Sequence, residues 1–272
     1  MYLGTGEGYF NGDAIMGIGL LKTTDGTGKG YLSSTGFRYE GLRRDARGRG
    51  VLGFRKLVRT DLSAPAPLST ETLQRQDYPF AGLPEQIMTR RASGKTVSST
   101  AYRWSKLEWA SGYLARRYPY PSTVTTRSYE SGGAFDGVEV TRSVRSVAAI
   151  DALSGTVTDQ TVTTTEVGGG INAGSSASVR VLHTGIFNDT PNWCLGRSQA
   201  VQLSASHTLA GGTPVVRTAD QDWDGLRCRP TRIRLQPGDT QWQVTNELSY
   251  DAYGNLAGEK VIGFDSDLTI RR

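Results

Sequence analysis

The sequence predicts an all-β protein built from antiparallel strands, and two observations lead to this prediction. Apolar and β-branched residues alternate with polar ones along 138–147 and 155–167, as on strands that have one face in water. Helical spacing of apolar residues is almost absent, and its best example, 105–117, carries Gly112 in its middle. We therefore expect little helix, with 105–117 as the one weak candidate.

The later part of the chain predicts further strands, separated by Gly, Asn, Asp and Pro residues that favour turns. These strands cover 177–184, 198–206, 231–235, 241–250 and 259–264. Four of the ten prolines lie within 61–84, which predicts an extended connection there because proline lacks the N–H that a sheet requires. The glycine-rich stretch 167–177 predicts a hairpin tip or a flexible loop.

The composition narrows the class of protein. Among 272 residues, 34 Gly and 10 Pro are too few for a collagen-like or low-complexity chain. Leu, Ile, Val and Phe together barely exceed the roughly 20% below which chains tend to remain disordered, so we expect a thin or extended core. The longest apolar run, 14–21, is far shorter than the roughly 18–20 residues of a membrane span and lacks the basic leader of a secretory signal.

A loose repeat recurs in which an aromatic or apolar residue precedes an acid and a glycine follows. It occurs at 129–132, 150–155, 223–225 and 250–255. We expect the first residue to end a strand, the acid to turn back on the backbone, and the glycine to take a positive φ. Similar strings also occur at strand ends in unrelated β proteins.

Several segments resemble a known family. Tyr-Asp-Ala-Tyr-Gly-Asn-Leu at 250–256 resembles the YD repeat of RHS (rearrangement hot spot) proteins. The segment 37–56 resembles the one that joins the propeller and shell regions in the B component of insecticidal Tc toxin complexes. The strings 74–84 and 188–197 resemble counterparts that occur in the same order in that family.

The resemblance implies a non-enzymatic structural role. In the family, antiparallel YD-repeat strands form a curved RHS-type shell that encapsulates a toxic C-terminal polypeptide. Residues 1–272 would be one such β region and a piece of a longer parent, with a linker-like family block at 37–84 and YD-type repeat strands over 120–272. The implied partners are the remaining shell and its C-terminal toxin, and the implied location is secreted or extracellular in a bacterium. The strand-end anchors would be Tyr39, Tyr129, Trp223, Tyr250 and Tyr253.

The sequence predicts no catalytic, cofactor-binding or metal-binding residues. His183, Cys194, His207 and Cys228 lack the close pairs of a usual zinc site, so isolated thiols and surface histidines are favoured, although a bridge between the two cysteines is open. Gly-Lys-Thr at 94–96 lacks the earlier glycine of a phosphate loop, and 26–30 has the glycines of a hairpin turn. Ser206 and His207 are adjacent and would face opposite sides of a strand.

Two clusters of charge leave alternatives open. Asp220, Asp222 and Asp224, like Asp265 and Asp267, could hold a cation, but a solvated turn is favoured. A basic stripe favours internal ion pairs over binding of an anionic polysaccharide, and nucleic acid is an unlikely partner. The stripe comprises Arg38, Arg43, Arg44, Arg47, Arg49, Arg55, Lys56 and Arg59.

The alternative function is an extracellular carbohydrate-binding or adhesion β module that uses exposed Trp and Tyr beside the basic stripe. The two functions differ in where the rings lie. Sugar binding requires a concave, solvent-facing aromatic platform, whereas a shell buries its rings between strands.

Overall fold

The computed structural model describes residues 16–23, 33–45, 50–109, 116–168, 170–211, 213–263 and 267–271. Within these ranges it contains sixteen strands and a 3-10 turn at Thr208–Ala210. Strand order in the sheet follows chain order, and each strand pair whose register is defined is antiparallel. The predicted all-β, antiparallel fold is confirmed.

Seven strands precede residue 130. They are β1 (Met16–Thr23), β2 (Ser33–Asp45), β3 (Gly50–Asp61), β4 (Leu68–Gln74), β5 (Pro84–Arg91), β6 (Thr96–Trp109) and β7 (Arg116–Tyr129). The other nine are β8 (Glu139–Ile150), β9 (Val157–Glu166), β10 (Ser176–Asp189), β11 (Cys194–His207), β12 (Val215–Asp224), β13 (Arg229–Leu235), β14 (Val244–Tyr250), β15 (Leu256–Ile262) and β16 (Asp267–Arg271).

The chain divides into two compact units. The first comprises Met1–Val144 and Thr165–Gly174, and the second comprises Arg145–Thr164 and Ser175–Arg272. The predicted loop at 167–177 lies between β9 and β10, where the described residues before Ser176 are turn or coil.

The weak helix expected at 105–117 is wrong. Residues 105–109 are the last residues of β6, and residues 116–117 are the first residues of β7. Residues 110–115 lie outside the described residues. Glu108 pairs with Arg117 across the two strands, and the Arg117 guanidinium donates to the Glu108 carboxylate at 2.6 and 3.0 Å. Cross-strand pairing of this kind outweighs a helix preference that a central glycine already weakens.

The expectation of a strandless connection over 61–84 is also wrong, because β4 lies within it. Residues of β4 pair with β3 on one side and with β5 on the other. The four prolines flank the seven residues of β4, and none lies between Leu68 and Gln74. Counting prolines over the whole interval therefore concealed a strand that contains none.

Polar contacts join neighbouring strands of the first unit. The hydroxyl groups of Thr60 and Ser69 lie 2.9 Å apart, and those of Thr100 and Thr126 lie 3.4 Å apart. Ser99 is among the few described residues that are buried. The thin core expected from the composition is confirmed, since most described side chains are only partly covered.

Candidate functional site

A cleft of about 740 Å³ opens in the first unit between strands β2 and β6. Four arginines line this arginine cleft, together with two acidic and two aromatic residues. The arginines are Arg43 of β2, Arg55 of β3, Arg75 from the connection that follows β4, and Arg103 of β6. Antiparallel pairing brings these residues, which are far apart in sequence, to one place.

Two of the four arginines are neutralised by carboxylates in the cleft. Arg55 Nη1 lies 2.5 Å from Glu85 Oε2 and donates to the Gln74 carbonyl at the same distance. Arg75 donates to both oxygens of Asp77, at 2.8 and 2.5 Å. These hydrogen bonds lower the pKa of Asp77, so the pair is fully charged at neutral pH.

The other two arginines, Arg43 and Arg103, are exposed. Neither forms an ion pair with a carboxylate anywhere in the part of the chain that the structure describes. Arg43 pairs with Gly53 on β3, which has no side chain to cover it. The cleft therefore carries two positive charges in excess of its negative ones.

The polar floor of the cleft is held in place by Gln76. Its side-chain amide donates to the carbonyl of Gly41 at 2.6 Å and to that of Gly53 at 2.8 Å. Gly41 has a φ of +68°, and a Cβ there would lie 2.8 Å from the Arg55 Cβ. A glycine is required at this position, because a side chain would displace the strand that carries Arg55.

Tyr102 and Trp104 form an aromatic wall in the cleft. Their ring centroids are 6.0 Å apart and their planes differ by 19°. Trp104 Nε1 donates to the Pro84 carbonyl at 2.7 Å, which fixes the orientation of the indole. Arg43, which has no carboxylate partner among the described residues, lines the same cleft as this fixed aromatic wall, an arrangement suited to bind a planar anion such as a carboxylate.

Sequence reasoning found part of this cleft. Arg43 and Arg55 belong to the basic stripe, but Arg75, Arg103 and Trp104 stand outside it. Elsewhere the stripe is partly neutralised. Glu40 accepts from Arg38 at 3.1 Å, and Lys56 lies 3.1 Å from Glu71. The favoured interpretation, internal ion pairs, holds for these two residues, while Arg47 and Arg49 lie outside the described residues.

The second unit carries the predicted acid-centred turns. Asp151, Asp224 and Asp251 follow or end β8, β12 and β14, so in antiparallel order their turns lie at the same end of these strands. Asp251 Oδ1 accepts from the backbone N–H of Tyr253 at 2.9 Å and of Asn255 at 2.8 Å. Hydrogen bonds from Asn255 lower the pKa of Asp251.

Three of the five proposed anchor rings lie at strand ends as expected. The Tyr250 hydroxyl donates to the Pro230 carbonyl at 2.8 Å, and the Arg229 guanidinium lies 5.3 Å from the Tyr250 ring centroid. Trp223 Nε1 donates to the Ser198 carbonyl at 2.9 Å. Tyr129 ends β7, with its hydroxyl 3.5 Å from Ser99 Oγ.

The other two anchors are wrong. Tyr39 lies in the middle of β2, where its ring is 5.0 Å from that of Phe54. Tyr253 lies in the turn after β14 with 91% of its surface exposed. Its backbone N–H, and not its ring, takes part in the turn.

The glycines of the repeat mostly follow the expectation. Gly132, Gly155 and Gly254 have φ values of +106°, +75° and +94°. The exception is Gly225, since the positive φ of its turn, +55°, falls on Cys228 instead.

The two cysteines are joined, which corrects the expectation of isolated thiols. Cys194 and Cys228 form a disulfide with their Cα atoms 5.3 Å apart. They therefore cannot act as thiolate ligands beside the histidines. His207 Nδ1 accepts from the Leu209 N–H at 3.1 Å, while His183 Nδ1 is buried without a partner in the described structure.

Arginine side chains form ion pairs with two of the three aspartates in the acidic cluster at 220–224. Arg234 donates to Asp220 at 2.6 Å, and Arg232 pairs with Asp222. Asp224 Oδ1 accepts from the Leu226 N–H at 3.1 Å in the turn. No group of three or more potential metal ligands occurs among the described residues, which leave out Asp265.

The Gly-Lys-Thr string at 94–96 lies in the hairpin between β5 and β6, not at the start of a helix. Lys95 Nζ lies 2.6 Å from Asp136 Oδ2. The string therefore lacks the helix that follows a phosphate loop, while the hairpin turn predicted at 26–30 lies outside the described residues. In the described part of the chain, no helix is long and apolar enough to cross a membrane.

Comparison with known proteins gives structural neighbours only. No protein-family model matches the chain, and neither does any curated protein. The crystal structure of TcdB2-TccC3 without its hypervariable C-terminal region matches 84% of this chain and 21% of its own, with 9% identity and a TM-score of 0.53. The crystal structure of TcdB2-TccC3 matches 85% of this chain and 22% of its own, with 9% identity and a TM-score of 0.52.

The chain thus spans about a fifth of the length of these neighbours. At 9% identity the match concerns the fold alone. The fold of this chain is similar to that of part of the TcdB2-TccC3 structure.

Proposed function

We propose that the chain is a non-enzymatic wall segment of an RHS-type toxin shell that encapsulates a toxic C-terminal polypeptide. The observation that carries the proposal is the fold match to TcdB2-TccC3 over 84% of the chain. The YD-like strings at 250–256 and the block at 37–56 agree with it, because both resemble the same family.

The internal construction of the chain suits a wall. Strands follow one another in chain order, and polar ladders and ion pairs join them in place of a thick apolar core. Such a sheet is stabilised locally, hairpin by hairpin, so its strand number can grow without enlarging a central core. The strands β1 and β16 stand at the two ends of the strand order, where further strands could pair.

The positions of the anchor rings support the proposal that the repeat serves as part of a wall and not as a sugar-binding platform. Tyr129, Trp223 and Tyr250 are partly buried against neighbouring strands, and their polar atoms are satisfied by the backbone or a hydroxyl there. The disulfide between Cys194 and Cys228 agrees with a secreted or extracellular location, since disulfides persist in oxidising compartments. The proposed partners are the remaining shell and the enclosed polypeptide.

Isolation of the native complex tests the proposal. An affinity tag on this chain, introduced in the source organism, would retrieve whatever the chain assembles with. We expect electron microscopy to reveal hollow particles, and a co-purified polypeptide to resist trypsin until mild denaturant opens the particles. A chain that purifies without further shell strands, or a co-purified polypeptide that trypsin cuts at once, would refute the proposal.

A further inference from the structure

We infer that the arginine cleft of the first unit is a binding site for an acidic saccharide, a sugar ring that carries a carboxylate, such as a uronate. This inference goes beyond the proposed wall function and does not depend on it. It rests on Arg43, which has no carboxylate partner among the described residues, and on the aromatic wall and the fixed polar floor of a cleft of about 740 Å³.

The charge of the cleft selects an anion. Arg55 and Arg75 are occupied by Glu85 and Asp77, but Arg43 and Arg103 have no carboxylate partner among the described residues. A guanidinium group presents paired N–H donors that match the two oxygens of a carboxylate. Arg43 is therefore the group that would hold the acid function of the ligand, because alternation along β6 directs Arg103 to the face opposite Tyr102 and Trp104.

The aromatic wall favours a ligand that contains a sugar ring. Tyr102 and Trp104 lie nearly parallel, and sugar C–H groups pack on such faces. Because Trp104 is hydrogen-bonded to the Pro84 carbonyl, its indole does not have to be ordered when a ligand arrives. A simple anion such as phosphate would use the arginines and leave this wall without a role.

The cleft is organised before any ligand binds. Gln76 joins the Gly41 and Gly53 carbonyls, and Asp77 holds Arg75 through two hydrogen bonds. Arg75 also lies 4.4 Å from the Phe80 ring centroid, which limits its movement. Affinity is greatest where such side chains are already fixed, since less conformational entropy is lost on binding.

The distribution of charge disfavours a nucleic acid as the occupant. A phosphate backbone is bound along a continuous basic track. In this unit the neighbouring cations Arg38 and Lys56 are engaged by Glu40 and Glu71, which interrupts a basic track beside the cleft. A short acidic saccharide needs only the charge of the cleft itself.

Calorimetric titration of the full chain with a trimer of galacturonic acid tests the inference, with maltotriose as the neutral comparison. We expect the acidic trimer to bind, with an affinity that falls as salt is raised, and maltotriose not to bind. The variant Arg43→Gln should weaken binding of the acidic trimer by about tenfold or more, because its charge-assisted hydrogen bonds to the carboxylate are lost. Arg43 is exposed, so the substitution leaves the packing intact.

The matched control is Arg59→Gln. Arg59 is also exposed, forms no described ion pair and does not line the cleft, so it removes the same charge from the same unit. We expect it to change the affinity less than about twofold, since distant surface charges are screened. Equal weakening by the control would mean unspecific attraction and would overturn the inference. So would absence of binding by the acidic trimer, equal binding of maltotriose, or tighter binding of a tri-glutamate peptide than of the acidic trimer.

Discussion

Gly254 offers a direct test of the turn that ends the YD-like repeat. Its φ of +94° is one that residues with a Cβ rarely adopt, and a Cβ there would overlap the Arg229 guanidinium. That guanidinium lies over the Tyr250 ring, at 5.3 Å from the ring centroid. Substitution of Gly254 by valine therefore acts on the backbone and on the neighbouring side chain together.

The expected cost can be estimated from these two contributions. Backbone strain at a positive φ costs about 1–3 kcal/mol. Arg229 can swing away because only the end of its long side chain is in the way, so the second contribution is the lost contact with Tyr250, about 0.5–1 kcal/mol. We expect Gly254→Val to lower the free energy of unfolding by about 1.5–4 kcal/mol.

Gly238 provides the matched control. It has a similar φ of +85°, but a Cβ there would meet nothing within 4 Å. Gly238→Val should therefore show the backbone contribution alone. Urea unfolding followed by tryptophan fluorescence measures both variants against the unchanged chain. Gly254→Val with the stability of the unchanged chain would refute the turn account, and equal effects of the two variants would refute the role of Arg229.

Two further outcomes follow from the same structure. Reduction of the disulfide between Cys194 and Cys228, which are 34 positions apart, should lower the free energy of unfolding by about 2–4 kcal/mol, because the unfolded chain is then less constrained. A control variant with alanine at both positions should not respond to the reductant. An unchanged melting curve when the disulfide of the parent chain is reduced would contradict the prediction. Far-ultraviolet circular dichroism should show a strand-dominated spectrum, because the helical element among the described residues is one 3-10 turn; a helix-rich spectrum would contradict the fold.

The sequence predicted the long alternating strands better than it predicted the short strand β4 or the position of Tyr253. Alternation along 138–147 and 198–206 placed strands correctly in β8 and β11, because one-sided burial leaves a period of two in the sequence. β4 was missed because the prolines around it were counted with it. Tyr253 was misplaced because an aromatic residue three positions after Tyr250 fits the repeat whether it packs or points into water.

The arginine cleft could not be predicted because its parts are local only in three dimensions. Arg43 and Arg103 lie on strands four apart in the sheet, and no spacing along the chain links them. The same holds for the disulfide. The β10–β11 hairpin places Cys194 at the start of β11, and the turn after β12 brings Cys228 beside it. The sequence left that bridge open, since two cysteines at this separation are equally compatible with free thiols.

The acid-centred turns make the stability of the chain depend on pH, and the direction follows from their hydrogen bonds. Burial would raise the pKa of Asp151, but hydrogen bonds from Ser154 and Asn188 outweigh it and lower that pKa. Hydrogen bonds from Asn255 likewise lower the pKa of Asp251. In each case the folded-state pKa lies below the unfolded value of about 3.9. The stabilisation is therefore complete above about pH 5 and is lost as the pH falls through the folded-state pKa.

Asp251→Asn tests this dependence, because asparagine keeps an oxygen acceptor for the turn and does not titrate. At pH 6 we expect only a small decrease in the melting temperature, since the N–H groups of Tyr253 and Asn255 still find an acceptor. Between pH 5 and pH 2, in the range of the lowered pKa, the unchanged chain should lose more of its melting temperature than the variant does. Glu108, whose pKa Arg117 and Lys106 lower to about 2, contributes equally to both chains and cancels in the comparison. Identical pH profiles would show that the Asp251 turn carries no charge-dependent stabilisation.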